Sequence, residues 1–231
     1  GEPPLSPQLD FGVPGAEQAP WRALLERGAM GEYDPREPVS SWLPDARYLP
    51  LLAQAAQGAE RENWHTWLQL GAALLTQGRF ADARDALARA DSLARCAWVK
   101  YACSCLHLMQ HEPERAAVYA RQAAEAAPED ASVLKFALWV LLEARQYGEA
   151  LRLIAAAPPE LQRLPRVRLS EAQALVGLER LEEAEAILLQ DGGLIVPDIR
   201  EGEQTMSEVW LALQQKKYGL GREAAEKIAP V

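Results

Sequence analysis

The sequence predicts an all-α chain, and three observations carry that expectation. From Asn63 onward apolar residues recur with the 3.6-residue period of a helix. The same region is rich in Ala, Leu, Glu, Gln and Arg, which are strong helix formers. Val and Ile are scarce, and no alternating strand pattern appears. Finally, Ala83, Ala116, Ala150 and Ala184 stand 33, 34 and 34 residues apart, so the helical pattern is itself repeated.

Taken in order, residues 1–41 read as a Pro/Gly-rich arm with one short helix. Pro3, Pro4, Pro7, Gly12, Pro14, Gly15 and Pro20 leave no apolar period in the first twenty residues. A helix is expected from Trp21 to Arg27, stopped by Gly28, and residues 28–41 return to loop with Pro35 and Pro38. Residues 42–190 form the repeat domain. Pro44 suits a first helical turn, since its missing N–H has no partner there, and Leu49, Leu52 and Ala56 follow at helical spacing up to Gly58. Residues 191–231 are expected as a linker and a capping helix. Gly192-Gly193 ends the repeats and Leu194-Ile195-Val196-Pro197 is extended or loop. A helix then runs from about Thr205 or Ser207 to Lys217, with the stripe Val209, Trp210 and Leu213. Lys216 and Lys217 suit the negative end of its dipole.

The repeated residue types follow from packing. Two helices of a hairpin cross closely, so small side chains are wanted at the crossing. Twelve positions before each periodic alanine stand Gly71, Ser104, Leu138 and Ala172. Large apolar residues such as Leu74, Phe80 and Leu87 fill the layers around it. One such hairpin cannot bury its own faces, so neighbours must stack.

In the first unit Trp67, Leu70, Gly71, Leu74, Gly78, Phe80, Ala83, Leu87 and Ala90 stand at the spacing of the tetratricopeptide motif, and the chain resembles that family over about residues 64–190. The second unit keeps Ala116, Ala123 and Pro128. The third keeps Leu134, Leu141, Tyr147, Ala150 and Ala157. The fourth departs, with Arg168, Glu171 and Asp191 at apolar or small positions. The resemblance implies a right-handed α-solenoid of about four helix hairpins with flanking capping helices, acting as a protein-interaction scaffold. A second resemblance is carried by Trp42–Tyr48 and by Asp198–Glu203, which look like the tail of large bacterial proteins whose upstream β-rich domain is similar to carbohydrate-active enzymes. It implies the alternative reading: an accessory C-terminal module of a glycoside-processing enzyme.

Composition narrows the partners. The chain has 231 residues, a net charge of −9 and a pI near 5.0, which argues against nucleic acid or an anionic membrane as a main partner. No run of about 18 apolar residues is present, so no membrane span is expected. Gly1-Glu2-Pro3-Pro4 does not read as a signal peptide, and without an initiator Met the chain reads as a processed product or part of something longer. Cys96, Cys103 and Cys105 are few and odd in number, which suits a reducing, cytoplasmic setting.

Catalytic patterns are weak, and no enzyme activity or cofactor is expected. Cys103, His107 and His111 share one face of a predicted helix and could offer three metal ligands, yet a fourth is missing. Cys103 and His107 also occupy the packing positions that Leu70 and Leu74 fill in the first unit, so no metal is expected. Glu182 and Glu183 are adjacent and point apart. Gly219-Leu220-Gly221 is too short for a phosphate loop and lacks a preceding strand.

The tetratricopeptide resemblance further implies that the first helix of each hairpin lines a concave groove that takes a protein or peptide, or a neighbouring domain of a longer parent. The positions are His65 and Gln69, then Trp98, Tyr101, Cys105 and Met109, then Lys135, Phe136 and Trp139, then Arg166 and Gln173. Aromatic side chains dominate interface energetics, so the middle of this set is the expected anchor. The competing reading buries Trp98, Phe136 and Trp139 against neighbouring helices. Leu68 and Ala72 stand where chaperone-binding members carry Lys and Asn, so heat-shock chaperone tails are not expected as ligands. Residues 1–20, with Leu5, Leu9 and Phe11, are a candidate cover for the groove.

Overall fold

Helix-forming sequence with proline, Asx or Thr starts and glycine stops gives a computed structural model whose regular structure is all helical over its described residues, which are 18–39, 42, 45–58, 62–197 and 205–227. No strand occurs among them. Most of the Pro-rich arm, Pro44 and the Asp198–Glu203 motif lie outside the described residues. Contacts divide the chain into two compact units, Gly1–Leu106 and His107–Val231.

In the first unit α1 (Ala19–Arg27) begins with Pro20 in its first turn and buries Trp21 and Leu24. Trp21 meets Tyr48 edge-on at 5.4 Å. A 3-10 turn, Ala46–Tyr48, is capped by the Asp45 carboxylate and leads into α2 (Leu49–Gly58). The α-helix described at this point starts at Leu49, with Pro50 in its first turn. Asn63 caps α3 (Trp64–Thr76) by accepting a hydrogen bond from the His65 N–H at 2.8 Å, and α4 (Phe80–Leu93) packs back on α3 as its hairpin partner. At the crossing, a Cβ on Gly71 would lie 2.7 Å from Leu87 Cδ2 and 3.6 Å from the Ala83 carbonyl oxygen. Leu87 is buried and its Cγ would lie 2.8 Å from that Cβ, so the close approach of the two helices favours glycine there.

The helix α5 (Ala97–Met109) leads into the second unit. There α6 (Pro113–Ala126) packs on α7 (Ala131–Glu143), and α7 on α8 (Tyr147–Ala156). The four-residue α9 (Pro159–Gln162) precedes α10 (Pro165–Gly177), which packs on α7, on α8 and on its hairpin partner α11 (Leu181–Leu189). Beyond a 3-10 turn, Gln190–Gly192, α12 (Met206–Tyr218) opens with a capping box between Thr205 and Glu208. Its stripe of Val209, Trp210 and Leu213 enters one apolar cluster with Leu169, Ala172 and Leu175 of α10 and Ala184, Ile187 and Leu188 of α11. The periodic alanines Ala83, Ala116, Ala150 and Ala184 have no exposed surface, as the repeat register requires. A last short helix, α13 (Arg222–Ala225), packs on α12.

The repeat is also written in the backbone. Gly78, His111, Arg145 and Glu179 follow α3, α5, α7 and α10, and all four are left-handed, with φ of 69, 58, 55 and 62°. They stand 33, 34 and 34 residues apart, like the alanines. Each turn closes with the same hydrogen bond, from the N–H of the next residue to a carbonyl five positions back. These are Arg79 to Leu74, Glu112 to His107, Gln146 to Leu141 and Arg180 to Leu175, at 3.0, 2.9, 2.8 and 2.9 Å. This is the helix C-terminal turn that a left-handed residue permits. Only the first unit supplies the glycine that fits it without strain.

Candidate partner-binding site

The first helices place the expected groove residues unequally. In the first unit Gln69 is buried to 1% exposure, with its side-chain amide nitrogen 3.2 Å from His65 Nε2. Trp98 is buried as well. Neither side chain is presented to a partner, because α3 and the start of α5 are covered. Those two expectations are corrected. His65, at 2% exposure, is inside too, and burial pushes its imidazole down to about 4, so it is neutral at physiological pH. Tyr101 and Cys105 are half-buried.

The cover over α3 and α5 comes from the chain itself. Tyr33 stacks on the His65 ring at 4.6 Å and 20°, and meets Trp64 edge-on at 6.3 Å. The Trp64 indole N–H donates to the Tyr33 carbonyl at 2.9 Å, and the Asn63 side-chain amide donates to the Gly31 carbonyl. The Tyr33 hydroxyl donates to the Pro38 carbonyl at 2.6 Å, which bends the segment on itself. Met30 and Val39 are buried, and Trp42 stacks on Tyr101 at 6.4 Å and 26°. Arg36 hydrogen-bonds the Asp34 carboxylate and holds it down to about 2. Residues 28–41 read as plain loop in the sequence. Tyr33 within them and Trp42 just after them were the available sign that this stretch packs.

In the second unit the helix face is open. Trp139 on α7 is 40% exposed, against full burial of its neighbours Leu138 and Val140. Phe136, half-buried, lies beside it with ring centroids 6.0 Å apart. Lys135 on α7 and Arg166 and Gln173 on α10 are half-buried. Met109, at the end of α5, is exposed.

The side chains with chemical potential are otherwise engaged. His107 Nδ1 lies 2.7 Å from Glu112 Oε2, and the ring stacks on Tyr119 at 5.3 Å. That hydrogen bond holds the Glu112 carboxyl below its usual range. Burial pushes the Cys103 thiol up to about 11 and Cys105 to about 12, and raises Cys96, so all three are protonated at neutral pH and poor nucleophiles. Among the described residues no group of three His, Cys, Asp or Glu side chains is placed to hold a metal ion. No described helix is long and apolar enough to cross a membrane.

Each unit has a concavity among its described residues. A groove of about 640 Å³ runs between α2, α3 and α4, with Trp67 and Leu70 in its wall. Its flanking charges pair with one another, Arg79 with Asp82 and Arg89 with Glu62. A second of about 480 Å³, lined by Arg163, Arg168 and Gln190 among others, lies between α10 and the Gln190–Ile195 stretch. Comparisons with protein-family models, with curated proteins and with solved structures found no match to this chain.

Proposed function

We propose that the chain is a non-catalytic scaffold of tetratricopeptide-type hairpins that binds a protein or peptide through the faces of its first helices. The reading is carried by Trp139. A tryptophan exposed on a helix whose Leu and Val side chains are all buried keeps some apolar surface in water that a partner would cover. Phe136 beside it adds a second aromatic contact, one helical turn from Trp139 on the same helix. The periodic alanines and the four left-handed turns at the same spacing support the tetratricopeptide assignment.

The partner implied is an extended or helical segment with apolar anchors. Selection of peptides from a random library on the full chain tests this. Selected peptides are expected to lose at least tenfold in affinity for Trp139→Ala while that variant keeps its helical circular dichroism, since an aromatic hot spot is worth about 2 kcal/mol or more. Equal affinity for both proteins would defeat the proposal.

A further inference from the structure

The covered face of the first unit carries a more specific inference, which rests on the reading of first-helix faces as partner surfaces. We propose that α3 and α5 form a peptide-binding site, that residues 30–39 with Trp42 are its ligand in cis, and that a partner segment of the same chemistry takes the site by displacing them. The ligand class is an extended, proline-bearing segment with two aromatic side chains nine residues apart.

The contacts are those of a bound peptide rather than of a core element. The segment forms no helix and no strand ladder. It is held by donors from α3 and its cap to its own main chain, the Trp64 indole to the Tyr33 carbonyl and the Asn63 amide to the Gly31 carbonyl. Main-chain hydrogen bonds of this kind are indifferent to the side chain, so they give affinity without reading sequence. Sequence is read at two stacking platforms, His65 under Tyr33 and Tyr101 under Trp42. Both platforms are groove positions of the repeat. Pro35 and Pro38 restrict the free segment, which lowers the entropy lost when it is seated. Between its anchors the segment exposes Asp34, Arg36 and Glu37 to solvent, so exchange for another segment leaves no charge stranded inside the protein.

A ligand tethered to its site competes at high effective concentration, so the intact chain is expected to bind such partners weakly until the cis segment is weakened. A fluorescently labelled peptide of residues 30–42 is the probe. By anisotropy, Tyr33→Ala/Trp42→Ala in the full chain is expected to bind it at least tenfold more tightly than the unaltered chain. A peptide carrying alanine at both aromatic positions is expected not to bind. A folded double variant that binds the probe no more tightly than the unaltered chain would overturn the proposal. If the double variant does not fold, the unaltered chain serves. Excess unlabelled peptide should speed amide exchange of its own residues 30–39, and unchanged exchange would count equally against displacement. Trp139→Ala distinguishes the two readings. It should leave probe binding unaltered here, and a loss would mean that the probe reads the second unit, sinking this proposal while leaving the function above intact.

Discussion

Single residues carry the sharpest consequences. Gly71 was legible as a crossing residue because a small side chain twelve positions before a periodic alanine has no other evident purpose, and the structure sets its Cβ direction against Leu87. Gly71→Leu is expected to cost about 1–3 kcal/mol or more, read as a lowered urea midpoint. His65 was legible only as a groove position. Its burial under Tyr33 depends on a non-periodic segment, which helical spacing says nothing about. The fold holds His65 neutral down to about pH 4, whereas the unfolded chain protonates it near 6.5. The unfolded state therefore binds the extra proton between those values. Stability is fully present above about pH 6.5 and falls as pH drops toward 4, by about 3 kcal/mol from this group. Denaturation midpoints measured from pH 7.5 to 4.5 check this, and His65→Gln should flatten that part of the profile. The same slope in both proteins would assign the pH dependence elsewhere.

At the scale of the element, the turn after each first helix explains both what repeats and what has drifted. Left-handed backbone costs an L-residue about 1–2 kcal/mol, partly offset by the greater freedom glycine loses on folding. Arg145, exposed in such a turn, pays this cost. Arg145→Gly is expected to raise stability by about 0.5–1 kcal/mol, and Gly78→Ala to lower it by a similar amount, both read by chemical denaturation. Glu179 is a poorer choice because it also pairs with Lys216 at 3.4 Å. At the other end of the chain, Thr205→Ala removes the cap of α12 and is expected to cost about 1 kcal/mol. The long helices were readable because their apolar period runs over three turns or more. The four-residue α9 and α13 were not, since one turn shows no period. The third and fourth left-handed turns were hidden because Arg145 and Glu179 are not residues that announce positive φ, and His111 in the second announces it far less strongly than the Gly78 of the first.

For the whole molecule, the sequence supports helices, register and the list of first-helix positions, but not which of those positions meet water. Trp98 and Trp139 are both first-helix residues, in the register of His65 and Arg166 and of Cys105 and Gln173 respectively, and one is buried while the other is 40% exposed. Helical spacing puts both on the list and does not say which of the two meets water. The scaffold reading therefore rests on exposure seen in the structure and on a repeat seen in the sequence. Hydrogen exchange on the full chain, with and without a peptide selected to bind it, tests their combination most directly. New protection is expected on the first helices of the second unit, around Lys135–Trp139 of α7 and Arg166–Gln173 of α10, with α8 and α11 unchanged. Protection confined to α8 and α11, with α7 and α10 exchanging as before, would contradict the account.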